Sequence, residues 1–498
     1  MVVVMHRIGH GLERSTRVRK EAKTTIAVHD ADEDMIDPLE AVSPLDGRYA
    51  GVTRPLRPYA SESALMRARV QVEVEYLIAL SELDEFDLEF DDDELTHLRE
   101  MYRSFELSDA RSIKIIETEG DEHRPATNHD VKAVEYWVRD ELEGLGREDC
   151  IPLVHFGLTS EDVNNLAYRL LISEATSTVL MPALEEILEM LRDLAHDHQG
   201  LPMLARTHGQ AASPTTFGKE MGVFVGRIDR ILTDLEMALN GLHGKFGGAT
   251  GTYAAHHMAE PEVDWPKFAR SFVEEFDLEY LPLTTQVNPS DDLARVFDVL
   301  ARVNTVLIDL DRDMWRYISD GYLVQQQAEG EVGSSTMPHK VNPIDFENSE
   351  GNLSKARSDL RFLAEYLPES RLQRDLSDST VKRTIGSALA HALLGYEKTA
   401  TGLEKVVPNP SAMERDLTQN HAVLAEAFQT ALRRIGDETA YERLKNLTRG
   451  GEPNLDDFAP LIEEIREVDP TLAKRLDDLS PAGYTGLANE LVERFDTS

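Results

Sequence analysis

Apolar positions in the middle of the chain recur in steps of three and four. Leu180, Leu184, Ile187, Leu191 and Leu194 form one run. Phe217, Met221, Phe224, Ile228, Ile231, Leu235 and Leu242 form a second, with Ala238 filling one place. Leu293, Val296, Leu300, Val303, Leu307, Leu310, Met314 and Tyr317 form a third. Side chains three and four residues apart share a helix face, so each run predicts a helix longer than about 20 residues with one apolar seam. Further helical patterns cover 346–366 and 380–404. Strand-like alternation is scarce, so the fold class is all-α, built on an elongated central bundle. Seams this long are expected to bury against copies of the same chain. Breaks at Gly146–Pro152 and Pro408–Pro410 suggest domain limits. The expected organisation is an extension at 1–34, an N-terminal helical domain at 35–150, the long-helix bundle at 151–403 and a C-terminal helical domain at 404–498.

Charge changes the picture of the surface. The 498 residues carry 91 acids against 52 bases, a net charge of −39. Nucleic-acid or anionic-membrane binding needs a basic face, so neither is the main role. The acids are spread along the chain, as at Asp91-Asp92-Asp93-Glu94 and Asp456-Asp457, which describes a solvated acidic surface. High salt screens the self-repulsion of such a surface, so a halophilic setting is expected. The single cysteine, Cys150, excludes an internal disulfide and fits a reducing compartment. No apolar run approaches the ~18 residues of a membrane-spanning helix. Residues 1–34 run against the overall sign, with Arg7, Arg14, Arg17, Arg19, Lys20 and Lys23. They read as a disordered extension before Met35, or as a targeting arm.

Chemistry is expected in polar segments off the helices. Residues 330–345, Gly-Glu-Val-Gly-Ser-Ser-Thr-Met-Pro-His-Lys-Val-Asn-Pro-Ile-Asp, can offer backbone N–H groups to an anion and hold a serine beside a cation. A serine acting as a base needs both. His208 lies in a Gly-bearing turn within 204–216, where an imidazole can move protons near pH 7. Taken alone it also fits a surface histidine. Segment 155–165 opens a helix with Thr159 or Ser160 at its cap, and segment 127–132 opens another. Helix starts bind carboxylates well, though an ordinary capping box looks the same. Segment 371–383 gathers three arginines and two serines, which suggests a bound phosphate or carboxylate, or else a salt-bridged helix face. No HExxH, Walker loop or GxGxxG supports metal hydrolysis, NTP hydrolysis or Rossmann redox chemistry.

The run Ser-Ser-x-Met-Pro-x-Lys-x-Asn resembles the signature loop of the fumarase/aspartase superfamily, whose members eliminate fumarate from succinyl compounds. Further segments narrow the likeness. Ala41-Val-Ser-Pro-Leu-Asp-Gly-Arg-Tyr49, Thr-Asn-His-Asp-Val-Lys-Ala-Val-Glu-Tyr at 127–136, Leu158-Thr-Ser-Glu-Asp, Arg206-Thr-His-Gly-Gln and Gln373-Arg-Asp-Leu-Ser-Asp-Ser-Thr together resemble the adenylosuccinate lyase family, in its bacterial-type branch. The likeness runs from about residue 39 to the C-terminus. The basic extension and the acidic, insert-like stretch Glu119–Arg124 depart from it.

The resemblance implies a three-domain fumarase/aspartase-like fold and a carbon–nitrogen lyase of purine biosynthesis that uses no cofactor and no metal. Ser334 would be the base that takes the Cβ proton of the succinyl group, and His208 the acid that protonates the leaving nitrogen. Thr159, Ser160, Lys340 and Asn342 would hold the succinyl end. Arg48, Tyr49, His129, Asp130, Gln286, Arg374, Ser379 and Arg383 would contact the nucleotide, with Ser379 and Arg383 near its phosphate. Asn128, Ser335 and Asn348 complete the implied substrate-binding set. The implied substrates are adenylosuccinate, giving AMP, and the succinyl-carboxamide ribotide SAICAR, giving AICAR. The implied assembly is a cytoplasmic homotetramer with each site drawn from three subunits. The alternatives are another fumarate-releasing lyase, such as argininosuccinate lyase, and a structural relative that has lost catalysis.

Overall fold

All three seams become helices. In the computed structural model, Met181–Asp197, Phe217–Asn240 and Asp291–Ser319 carry them, and Ile344–Tyr366 and Ile385–Lys405 pack alongside. Structure is described for residues 37–326, 337, 340–449 and 453–495. The 1–34 extension and the Ser334–Ser335 pair fall outside the described residues. The chain divides after Ala50 into two compact units, and the bundle belongs to the second, from Gly51 onward.

The seam residues are where packing puts them. Leu184, Ile187 and Leu191 are fully buried, as are Phe217, Met221, Ile228 and Leu235, and Leu293, Val296, Leu300, Val303, Leu307, Leu310 and Met314. Each such side chain contributes about 1.5–3 kcal/mol relative to exposure. Two details differ from the sequence expectation. Met181–Asp197 is 17 residues long, shorter than its pattern suggested, but it continues directly from Ser160–Ala175 through a widened turn at Thr176–Leu180. Pro182 explains that turn: it has no N–H to give the preceding turn, and a π-type widening absorbs the break. Leu242, placed last on the second seam, lies beyond the helix end at Asn240. It is buried by a short parallel strand pair instead, where its carbonyl accepts the Glu279 N–H at 2.9 Å.

Buried polar groups tie the bundle together. Arg169 donates twice to Asp292, at 2.7 Å from Nε and from Nη2, joining the Ser160–Ala175 helix to the start of Asp291–Ser319. Deeper in, Thr399 donates to Asp311 at 3.0 Å and shares a hydrogen bond with Ser349 at 2.8 Å. Before the bundle, Glu62–Ser81, Asp92–Arg103, Leu107–Thr118 and Asp130–Gly144 close over an apolar cluster that includes Val70, Val74, Leu77, Ile113, Val134 and Val138. The insert-like Glu119–Arg124 stretch is a tight turn bridged at Gly120 and Pro125. Arg124 pins it by pairing with Asp140 and lying 5.0 Å from the Tyr136 ring centroid. After the bundle, short helices from Ala425 to Asp477 enclose a separate cluster around Phe428, Leu432, Phe458 and Ile465. Strands are confined to two- and three-residue pairs among the described residues. No described helix is long and apolar enough to cross a membrane.

Candidate active site

Four stretches far apart in sequence meet at the start of the Ser160–Ala175 helix. Arg374 Nη1 donates to Ser160 Oγ at 3.2 Å and to Gln286 Oε1 at 3.2 Å, one hydrogen for each acceptor. Gln286 is held in turn by donating to the Ala249 carbonyl at 3.1 Å, and Thr285 donates to the Gln373 carbonyl at 3.0 Å. Thr159 is the helix N-cap, and its N–H donates to Asp162 Oδ2 at 2.9 Å. The capping-box reading of this segment therefore holds. Asp162 does more than cap. Its buried carboxylate also receives Lys245 Nζ at 2.5 Å and the Gly247 and Gly248 N–H groups at 2.9 and 3.1 Å. One buried ion pair thus fixes the helix start and the 245–248 loop together. Gly157 has φ +66°, and a side chain there would run into the His256 ring at 2.7 Å, so the loop before the cap accepts only glycine.

A second carboxylate, Glu161, is buried between cations. Its Oε1 lies 3.5 Å from Arg374 Nη2, and its Oε2 lies 3.6 Å from Lys382 Nζ. Burial would raise its pKa; Lys382 and Arg374, with a hydrogen bond from Asn164, outweigh that and hold the carboxyl below its ordinary range.

Asp130 opens the neighbouring helix and joins the same region. Its Oδ2 accepts from Arg69 Nη2 at 2.8 Å and from Arg383 Nη2 at 3.2 Å. Burial opposes ionisation here too, but Arg69, the Val131 N–H and Arg383 prevail and lower its pKa. Arg69 also donates to Asn164 Oδ1 at 2.9 Å, which links the Asp130 group to the Ser160 helix. His129 is the N-cap, and its Nδ1 accepts the Lys132 N–H at 3.2 Å. A neutral ring therefore carries its proton on Nε2. Asn128 precedes it in left-handed backbone, φ 49°. Ser379 is half-buried on the short Ser377–Lys382 helix, and Arg383 follows it, exposed.

His208 stands apart. The chain folds there into a hairpin between strands Arg206–Thr207 and Gln210–Ala211, paired Thr207 to Gln210. His208 and Gly209 have φ of 54° and 74°, the positive pair that a two-residue turn of this hand requires. The imidazole is exposed and makes no hydrogen bond or ion pair among the described residues. Its hairpin is anchored at the base, where Arg206 Nη2 donates to Asp416 Oδ2 at 2.5 Å and Tyr322 donates to the same carboxylate. A cleft of about 920 Å³ lies beside it, lined by Arg206, Thr207, Asp313 and Tyr322. Within one chain, nothing described joins His208 to the Arg374–Ser160–Gln286 group.

Of the signature loop, Lys340 and Asn342 fall among the described residues. Lys340 is exposed and Asn342 half-buried, just before the Ile344–Tyr366 helix that carries Asn348. Asn348 Oδ1 accepts from Asn352 at 2.8 Å. Arg48 and Tyr49 lie in the unit that ends at Ala50, with the guanidinium 5.8 Å from the Tyr49 ring centroid.

Several partners escaped the sequence reading: Arg69, Glu73, His155, Glu161, Asn164 and Lys382. His155 Nδ1 lies 2.5 Å from the buried Glu73 Oε1. Burial would lower the His155 pKa, but Glu73 prevails and raises it. A signal existed. Arg69 and Glu73 stand four apart on a helix apolar on nearly every side, and charges buried in such a helix need a reason. Positive backbone φ occurs beside them, at Asn128 (49°) and His155 (59°), and also elsewhere, as at His208, Tyr253, Asp277 and Leu372.

Residues 47–357 match the lyase family described as "Lyase", and residues 370–485 match "Adenylosuccinate lyase C-terminal". The adenylosuccinate lyase of Legionella pneumophila (strain Corby) is 44% identical over 460 residues, covering 92% of this chain and 99% of that protein. The adenylosuccinate lyase of Dictyostelium discoideum is 45% identical, covering 90% and 97%, and that of Escherichia coli (strain K12) is 42% identical, covering 92% and 99%. Among solved structures, a fumarate lyase from Mesorhizobium sp. BNC1 superposes with a TM-score of 0.69 at 20% identity, over 89% of this chain and 97% of its own. A 3-carboxy-cis,cis-muconate lactonizing enzyme from Pseudomonas putida gives 0.65 at 21% identity, over 89% and 96%. These two show the shared all-α fumarase/aspartase fold.

Proposed function

The chain belongs to the adenylosuccinate lyase family, and from that premise we propose how its residues divide the reaction. The enzyme is a carbon–nitrogen lyase that releases fumarate from adenylosuccinate, leaving AMP, and from SAICAR, leaving AICAR. The observation that carries this reading is the convergence of Ser160, Gln286 and Arg374 through one guanidinium nitrogen. It sets charged and neutral donors at a helix start, where a succinyl or phosphate group is best held.

In this reading the Ser334 oxygen takes the Cβ proton. The electron pair left behind spreads into the adjacent carboxylate, and Lys340 with the loop N–H groups steadies that charge. The pair then forms the fumarate double bond as the C–N bond breaks, and His208 supplies a proton to the departing nitrogen. Thr159, Ser160, Lys340 and Asn342 hold the succinyl end. Arg48, Tyr49, Asn128, His129, Asp130, Gln286, Ser335, Asn348, Arg374, Ser379 and Arg383 serve binding. The separation of His208 from the Arg374 group supports sites shared between subunits of a homotetramer, with 35–150, 151–403 and 404–498 as its domains. The net charge of −39 supports a surface adapted to high salt.

An absorbance assay on purified protein tests the activity directly: turnover of adenylosuccinate is expected, and turnover of argininosuccinate alone would refute it. Rates and light scattering over one salt series test the rest. Both should rise from ~0.1 M toward above ~1 M KCl, as the Debye length shrinks from about 10 Å to about 3 Å. A fully active tetramer at low salt would remove the halophilic reading.

A further inference from the structure

Glu161 poses a problem for any ligand held by Arg374. It is a carboxylate, 1% exposed, set among the donors that would receive an anion. On one side Arg374 faces its Oε1. On the other, Oε2 has no hydrogen-bond partner among the described residues and faces Lys382 Nζ at 3.6 Å. Lys382 is itself 4% exposed, donates to Asp378 Oδ2 at 2.7 Å and lies 5.7 Å from the Tyr168 ring centroid. Two carboxylates and two cations therefore share one buried cluster, and their charges sum to zero.

Resting on the lyase reading, we propose that Lys382 is a positioning residue for substrate binding: it balances Glu161 from behind, so that Arg374 stays seated on Ser160 and Gln286, where the substrate is received. A buried carboxylate without its cation recruits the nearest one. Without Lys382, Arg374 is the nearest cation left facing Glu161, and Asp378 loses its partner. The guanidinium is drawn onto Glu161 and away from Ser160 and Gln286, and the cluster acquires a net negative charge that repels an arriving carboxylate or phosphate. Lys382 touches no substrate in this account; it acts through Glu161.

The test is a charge-balance series read as KM against kcat. Lys382→Met should raise KM for adenylosuccinate roughly 10–100-fold, with kcat changed less than about threefold. Adding Glu161→Gln to that variant returns the cluster to zero, with Asp378 against Arg374, and should bring KM back to within about threefold of the parent. Lys382→Arg should also stay near the parent value. If Lys382 gripped the substrate directly, the double variant would bind as weakly as the single one, and that result would overturn the proposal. Should Lys382→Met fail to fold, the double variant and Lys382→Arg decide by the same criterion. Calorimetric titration with AMP gives the same ranking without turnover. A parent enzyme that binds AMP in this order but releases no fumarate would sink the lyase reading and leave the role of Lys382 standing.

Discussion

The Ser160 helix start and the His208 hairpin differ in nearly every physical respect. At the helix start, each charge has a buried partner: Arg374 with Glu161, Arg69 with Asp130, Lys245 with Asp162. Those pairs all form within one chain. The hairpin is the opposite, with His208 exposed at the tip and charge contacts at the base, where Arg206 meets Asp416 and Asp320. Preorganised binding needs fixed partners within reach, whereas a group that must enter a neighbour's site has to be presented outward on a stiff support. On the proposed roles the contrast divides binding from proton transfer, and it can be attacked from either side.

The sharpest break separates the two residues proposed to handle protons. Ser334→Ala and His208→Gln should each lower kcat by roughly 10²–10⁴-fold, the usual cost of losing one acid or base. Mixed after subunit exchange, the two inactive proteins should regain activity, because some sites then combine an intact serine with an intact histidine. Verified exchange without any recovery would show that the hairpin does not serve a neighbouring chain's site.

On the binding side, Arg374→Ala should raise KM roughly 10–100-fold, since in the proposed reading it removes a charge-assisted contact to a part of the substrate remote from the breaking bond. Arg383→Ala should do less, because Arg383 is 52% exposed and shares Asp130 with Arg69. A fall in kcat at constant KM, for either variant, would move that arginine to the reacting centre.

Asp416 probes the support of the hairpin. Its carboxylate receives both Arg206 and Tyr322, so Asp416→Asn loosens the base without touching the imidazole. Small misplacement of a catalytic group is costly, and a kcat reduced roughly tenfold with KM held is expected. Steady-state kinetics that show KM rising instead would place Asp416 with the binding group.

The sequence made the scaffold legible and the partners much less so. Three seams at steps of three and four foretold Met181–Asp197, Phe217–Asn240 and Asp291–Ser319, because burial repeats with the helix period. The widened turn before Pro182 did not show, since a proline at a helix start usually signals a fresh helix rather than a continuing one. In the site, Thr159, Ser160, Asp130 and Arg374 stood out as polar groups at helix starts or in an arginine island. Glu161 and Lys382 did not, because a charge in a polar segment reads as solvated, and only the fold shows these two buried and paired. Arg69 and Glu73 were hidden for the converse reason, inside an apolar helix scanned for its core.

The smallest expected effect comes from a buried acid that serves neither region. Asp311 sits in the bundle core, where its Oδ1 accepts from Thr399 and its Oδ2 has no hydrogen-bond partner among the described residues. Burial pushes its pKa up to about 8, against hydrogen bonds from Ser349 and Thr399 that lower it. An unfolded carboxyl titrates near 4, so between about pH 4 and about pH 8 the folded chain holds more protons than the unfolded one. Stability from this group is therefore fully present below pH 4, falls as pH rises across that window, and is lost above about 8. Asp311→Asn keeps the shape and removes the ionisation. Thermal melts should show the variant matching the parent at about pH 4 and exceeding it by roughly a few degrees at pH 8, with KM and kcat unchanged. A parent whose melting midpoint does not decline over this window relative to the variant would mean that Asp311 is not held neutral, and that the bundle core carries a charge which neither region accounts for.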